Sequence, residues 1–218
     1  MKCAKETLLL YAVTDRTWTG RQSLYEQVEA ALKGGVTCVQ LREKNLEEEA
    51  FLQEARELKS LCSCYNVPLI INDNVRIAVA CGADGVHVGQ KDMDVRTVRR
   101  LAGEKMILGV SAHSVKEARK AVEDGADYLG LGAVFSTSTK TDAGRMAQED
   151  LRAICGAVNV PVVAIGGISQ ENILELARSG VDGVALVSAI FSASDIEGMC
   201  RHLRGLAEKM VKGESSSF

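Results

Sequence analysis

Gly82-Ala83-Asp84-Gly85-Val86-His87-Val88 closes a helical pattern, turns on Gly-Ala-Asp and opens a short apolar run. The device recurs at Gly34-Gly35-Val36, Gly125-Ala126-Asp127-Tyr128 and Gly180-Val181-Asp182-Gly183. Glycine tolerates the left-handed backbone that ends a helix, so each recurrence reads as a helix-to-strand junction. Between the junctions stand other apolar runs that enter from a polar turn or from Val-Pro, as at Val67-Pro68 and Val160-Pro161. A unit of two strands and two helices therefore repeats four times along the chain.

The strand-like runs fall at 8–13, 36–41, 68–71, 85–88, 106–110, 128–131, 161–165 and 183–187. Helical patterns fill the intervals at 23–33, 46–65, 75–81, 95–101, 114–123, 149–157, 169–179 and 195–210, with Ser23, Ser114 and Ser169 read as N-caps. Short buried strands alternating with helices imply a parallel sheet covered by helices. The fourfold repeat favours one closed (β/α)₈ TIM barrel over 1–218, with a tail at 212–218 expected to fray. The alternative is an open doubly wound sheet. It lacks support, because no strand is followed by Gly-x-Gly-x-x-Gly and no second half changes rhythm.

The 218 residues suffice for a sizeable core, and a net charge of -3 supplies no general basic field to draw nucleic acid or membrane. No apolar window is long enough to span a bilayer, and residues 1–6 lack the apolar core of a signal peptide. The seven cysteines are odd in number and irregularly spaced; Cys62-Ser63-Cys64 has no second pair or nearby histidine to make a zinc site. They are expected to be mostly small buried groups in a reducing cytoplasm. A homo-oligomer is left open.

In such a barrel the C-terminal ends of the strands form one rim, where chemistry is built. Here the rim reads Thr14-Asp15, Gln40 to Lys44, Asn72-Asp73, Gln90 to Asp92, Ser111, Thr137 to Lys140, Gly166-Gly167 and Val187-Ser188. Strand alternation puts Gln40, Arg42 and, where the extension persists that far, Lys44 on one face, Leu41 and Glu43 on the other. Asp73 and Asp92 follow neighbouring strands and would repel unless a cation sat between them. With Arg42, Lys44 and Lys140 nearby, the set suits Mg²⁺ and a diphosphate, since Mg²⁺ takes one or two carboxylates plus phosphate oxygens. Asp73 alone could equally be a helix cap. The second set, Gly166-Gly167 and Val187-Ser188, lies where this fold often holds a phosphate on backbone N–H groups; a plain left-handed turn is the alternative. Two anion sites make a transfer more natural than an isomerisation. His87 either faces the mouth or is a bonded core residue, His113 either orients Ser111 or caps a helix, and His202 reads as surface.

The motifs Tyr11-Ala12-Val13-Thr14-Asp15, Gln40-Leu41-Arg42-Glu43-Lys44, Ile71-Asn72-Asp73, Gly85-Val86-His87-Val88-Gly89-Gln90 with Asp92, Gly109-Val110-Ser111, Thr137-Ser138-Thr139-Lys140 and Ile165-Gly166-Gly167-Ile168 stand in order. In that order the sequence closely resembles the thiamine phosphate synthase (thiamine-phosphate pyrophosphorylase) family, from about Leu8 to His202. Each motif alone is weak, and the ordered set is specific. The resemblance implies a cytoplasmic, Mg²⁺-dependent transferase that joins a hydroxymethylpyrimidine diphosphate to a thiazole phosphate. It implies that Gln40, Leu41, Arg42, Glu43, Lys44, Asn72, Ser111 and Lys140 hold the pyrimidine diphosphate, and that Asp73 and Asp92 hold Mg²⁺. It places the thiazole phosphate on Thr137, Ser138, Thr139, Gly167, Val187 and Ser188. Arg42, Lys44, Ser111 and Lys140 are the expected catalytic groups. Ser136 departs from the family, which often has Pro there; a looser loop is the expectation, with no named contact removed. The chemistry is dissociative: pyrophosphate leaves, the aminopyrimidine carries the cation, and the thiazole nitrogen attacks. It needs charge stabilisation and positioning more than a general base. A thiazole tautomerase-like barrel and a non-catalytic regulatory phosphate-binding barrel are the other readings.

Overall fold

The computed structural model describes residues 3–20, 22–136 and 146–214. Eight parallel strands close into a barrel in chain order. They are β1 (Leu10–Val13), β2 (Cys38–Leu41), β3 (Leu69–Asn72), β4 (Gly85–Val88), β5 (Ile107–Ala112), β6 (Tyr128–Leu131), β7 (Val162–Ile165) and β8 (Gly183–Leu186). The surrounding helices are α1 (Leu24–Lys33), α2 (Glu48–Cys64), α3 (Val75–Ala80), α4 (Val95–Ala102), α5 (Val115–Glu123), α6 (Gln148–Gly156), α7 (Ser188–Phe191) and α8 (Ile196–Val211). The closed sheet rules out the doubly wound alternative.

The repeated Gly-x-Asp junction has a mechanical reason. Ahead of β4, Asp84 Oδ2 accepts the N–H of Leu69, the first residue of β3, at 2.8 Å. Asp127 does the same for Leu108 in β5, and Asp182 for Val162 in β7, each at 2.9 Å. In the first unit Thr37 Oγ1 takes the N–H of Leu10 at 2.9 Å. A side chain before each even strand thus satisfies a donor at the start of the odd strand beside it, a group that would otherwise be stranded at the edge of the core. Lys59, Arg99 and Lys5 balance the three carboxylates at 2.8, 2.5 and 2.7 Å.

Strand alternation divides the core in two. Leu10, Ala12, Val39, Leu41, Leu69, Ile71, Val86, Val88, Leu129 and Leu131 face outward against helical residues such as Val28, Leu58, Val98 and Leu203. Tyr11, Val13, Cys38, Ile70, Tyr128, Val163 and Ala185 form the inner cluster, with Leu8 from a 3₁₀ turn at Lys5–Leu8 sealing the base. Because period 2 continues along each strand, Gln40, Asn72, His87 and Ser111 take the inner face near the opposite end.

Some expectations are corrected. The helix expected at 169–179 is only a 3₁₀ turn at Ile173–Leu176. Local side chains compete for its first turn: Asn172 Oδ1 accepts the N–H of Ser169 at 2.8 Å, Asn172 Nδ2 donates to Gly167 O at 2.9 Å, and the Ser169 hydroxyl, while it accepts the N–H of Glu171 at 3.3 Å as a cap would, also donates to the Glu171 carboxylate. The last inner strand stops at Leu186, and the short α7 follows directly. Strand β5 continues through Ser111 to Ala112. In the tail, Lys212 and Glu214 donate backbone hydrogen bonds to the end of α8, and 215–218 lie outside the described residues. Among the described residues no helix is long and apolar enough to cross a membrane.

Candidate active site

The C-terminal mouth of the barrel opens into a cavity of about 160 Å³. Gln40, Arg42, Asn72 and Ser111 line it, as do Gly166, Gly167, Val187 and Ser188. Arg42 and Asn72 of the first set thus share a single space with the whole of the second, whereas Lys44, Asp73 and Asp92 do not line it; Lys44 borders a neighbouring hollow with Asp15, Arg16 and Arg42. Thr137, Ser138, Thr139 and Lys140 lie outside the described residues.

The turn after β2 sorts its side chains in different directions. The Leu41 side chain is fully buried in the outer layer. Glu43 is drawn to Arg16, whose Nε donates to Glu43 Oε2 at 2.8 Å. Neither residue lines the cavity. Arg16 also clamps Glu54 at 2.6 Å, tying the turn to α2. Burial raises the Glu54 carboxyl above its ordinary range against the pull of Arg16, and the neighbouring Glu43 adds to the rise. Arg42 stays at the cavity: its N–H donates to Thr14 Oγ1 at 3.0 Å and its guanidinium meets Asp15 Oδ2 at 3.4 Å. That pair is long and partly exposed, and therefore weak.

Lys44 Nζ donates to Asp73 Oδ2 at 2.7 Å. Asp73 stands in left-handed backbone, φ 62°, just past β3. It does not cap the next helix, because Asn74 accepts the N–H of Ile77 and holds that position. The cap alternative for Asp73 is thereby removed. Asp92 Oδ2 accepts the N–H of Gly89 at 2.7 Å. Burial raises the Asp92 carboxyl above its ordinary value; the Gly89 bond opposes this, and the adjacent Asp73 carboxylate adds to it. The two acids are thus close neighbours, and their oxygens fit a hard cation. Among the described residues no cluster of three or more His, Cys, Asp or Glu could hold a metal, so the pair would need water or phosphate oxygens to complete a shell.

Gly167 has φ 67°, and a Cβ there would stand 2.3 Å from Ser136 O. The requirement for glycine is thus set by the loop after β6 packing on it, besides any approach of a ligand. Ser188 is the first residue of α7 and lines the cavity.

The inner wall carries a polar chain that sequence reading did not assemble. Gln40 Nε2 donates to Tyr11 Oη at 2.8 Å, and Tyr11 Oη meets Tyr128 Oη at 2.9 Å. Tyr128 Oη meets His87 Nδ1, and His87 Nε2 meets Ser111 Oγ, both at 2.9 Å. Burial drives both tyrosine hydroxyls well above their ordinary pKa, so they stay neutral donors. Of the two roles open to His87, it takes both: it is hydrogen-bonded in the core and it lines the cavity at the mouth. His113 does not orient Ser111; it binds Glu117 through its N–H at 2.8 Å, while Ser114 caps α5. Gln90 Nε2 holds Ser111 O at 2.6 Å. His202 is exposed on α8.

Comparison with known proteins bears on this geometry. Residues 10–190 match the family model described as thiamine monophosphate synthase. The chain is 47% identical over 196 residues to the thiamine-phosphate synthase of Clostridium tetani, spanning 90% of this chain and 94% of that one. It is 51% identical over 194 residues to that of Ruminiclostridium cellulolyticum, spanning 89% and 92%. Among solved structures, thiamine phosphate pyrophosphorylase from Pyrococcus furiosus superposes with a TM-score of 0.88 at 38% identity, over 95% of this chain and 98% of that one.

Proposed function

This chain belongs to the thiamine monophosphate synthase family and joins 4-amino-2-methyl-5-hydroxymethylpyrimidine diphosphate to a thiazole phosphate, forming thiamine phosphate and pyrophosphate, and from that premise we propose how its residues divide the task. Arg42 and Lys44, with Lys140, neutralise the departing pyrophosphate. Gln40, Asn72 and Ser111 orient the pyrimidine diphosphate, with the backbone of Leu41 and Glu43 beside them. Gly167, Val187 and Ser188, with Thr137, Ser138 and Thr139, hold the thiazole phosphate. The observation that supports this division is the common cavity, which Arg42, Ser111, Gly167 and Ser188 all line. Holding both anions in one space turns the second step into a near-intramolecular attack.

Asp73 and Asp92 would hold Mg²⁺, which when bound would supply positive charge to the diphosphate oxygens. The support is the absence of a capping role for Asp73 and the closeness of the two acids. Lys44 already lies on Asp73, so the ammonium and the acid pair arrive together at the leaving group. The setting we propose is the cytoplasm, on the ground that all seven cysteines are free thiols. The test is turnover of both substrates in EDTA, followed by Mg²⁺ add-back. Loss and recovery of activity is expected; full activity in excess EDTA would refute the metal role while leaving the transfer itself intact.

A further inference from the structure

The polar chain across the barrel has a direction, and we propose that Tyr11 and Tyr128 are positioning residues that hold Ser111 as a hydrogen-bond donor toward the cavity. The inference rests on the assignment of Ser111 to the pyrimidine diphosphate. Its starting point is Gln40, whose amide nitrogen can only donate, and it donates to Tyr11 Oη at 2.8 Å. Tyr11 still has its own hydrogen to place, and of its two neighbours the Tyr128 oxygen, 2.9 Å away, is a better acceptor than the Cys38 sulfur. Tyr128 then gives its hydrogen to His87 Nδ1. A neutral imidazole that accepts at Nδ1 carries its proton on Nε2, so His87 donates to Ser111 Oγ. Ser111 enters the cavity with its oxygen already an acceptor and its hydroxyl hydrogen directed to a ligand. The opposite polarity, with His87 protonated on Nδ1, would consume that hydrogen within the wall.

Burial makes the arrangement stiff. Tyr11 is 1% exposed, Tyr128 0% and His87 9%. The members are contributed by β1, β2, β4, β5 and β6, so no single strand can shift the chain alone. Room for the Tyr128–His87 contact comes from Gly109 on β5, where a Cβ would lie 2.4 Å from His87 Nδ1. A donor fixed in advance costs no reorganisation when charge grows on the leaving oxygen, whereas a freely turning hydroxyl must be oriented at that moment.

The tautomer of His87 is measurable on the full-length protein without substrate. Long-range ¹H–¹⁵N correlation at a pH of about 8, where imidazole is neutral, with the His87 signal identified by its loss in His87→Gln, should show the proton on Nε2. A parent protein with the proton on Nδ1 would overturn the direction whatever reaction is catalysed. Tyr128→Phe keeps the ring volume and removes one hydroxyl. It should release the tautomer preference and lower kcat about tenfold, the scale of one weakened transition-state hydrogen bond, with the KM for pyrimidine diphosphate little changed. In a Ser111→Ala background the same change should cost almost nothing more, because its effect passes through Ser111. Parent kcat in a folded Tyr128→Phe protein, or losses that simply multiply in the double variant, would refute the positioning role. Turnover by the parent in the same assay keeps such a failure distinct from failure of the functional reading.

Discussion

Gly109→Ala tests the packing on which the inner wall depends. The added methyl would stand 2.1 Å from Tyr128 Cζ, 2.4 Å from Tyr128 Cε1 and 2.4 Å from His87 Nδ1. Ordinary van der Waals contact begins at 3.4 Å, so one ring must retreat by about an ångström. Neither ring is the loose end of a flexible chain, and both are enclosed. Overpacking of this kind costs about 1–3 kcal/mol. If the retreat also breaks the Tyr128–His87 bond, a buried polar group left unpaired adds roughly 1–3 kcal/mol. A total near 4 kcal/mol corresponds to a fall in Tm of about 8–16 °C for a domain of this size. The protein should still fold, since domain stabilities run to about 5–15 kcal/mol. Activity should fall further than stability alone explains, because a shift of about 1 Å at a positioning group can cost about a hundredfold. The assay pairs a thermal melt with steady-state turnover well below Tm. Gly156→Ala is the control: that glycine ends α6, and nothing lies within 4 Å of its Cβ position. A Gly109→Ala protein melting with the parent and turning over at the parent rate would show that the Tyr128–His87 contact is not a packed bridge.

Three further outcomes are expected. Asp73→Asn and Asp92→Asn should each raise the Mg²⁺ needed for half-maximal turnover, and the double variant should be far less damaged than the product of the two, since both serve one ion; unchanged Mg²⁺ dependence in either single variant would dismiss the pair as ligands. Ser188→Asp should abolish thiazole phosphate binding by calorimetry while pyrimidine diphosphate binding persists, and equal loss of both would refute the two-pocket division. The third outcome concerns pH in metal-free protein. The folded Asp92 carboxyl sits above its ordinary value of 3.8, chiefly through burial, so the native state holds that proton more tightly than the unfolded chain does. Its stabilising contribution is therefore full below the unfolded pKa and is lost as pH rises through the raised folded value. Asp92→Asn should remove that decline from urea melts in EDTA and leave the neutral-pH protein as stable as the parent or more so. Asp73→Asn should gain less, because it also removes the Lys44 partner. A parent and an Asp92→Asn protein with the same pH slope would contradict the assignment.

Much of the architecture is local chemistry written along the chain. Ser23 and Ser114 cap the helices expected of them, with Ser23 closing a full capping box with Glu26. The four Gly-bearing junctions mark the even strands, and alternation correctly put Gln40 and Leu41 on opposite faces. Where local signals conflicted, the sequence misled: Ser169 does accept the N–H of Glu171 as a cap would, yet with Asn172 bonding back to Ser169 and Gly167 only a 3₁₀ turn follows. The choice between capping and ligand roles for Asp73 likewise needed Asn74 to be seen in the cap position.

By itself, then, the sequence determined the alternation of strand and helix, the repeat that closes the barrel, and the polar groups at its rim, because each depends on neighbours within a few residues. Only the tertiary structure decided which groups touch inside the barrel. Tyr11 meets Tyr128 across 117 residues of chain, Gln40 reaches Tyr11 across 29 and Tyr128 reaches His87 across 41. No periodicity reports such a meeting: it follows from strands wrapping around a closed axis, with Gly109 leaving the space in which two buried rings can share a hydrogen.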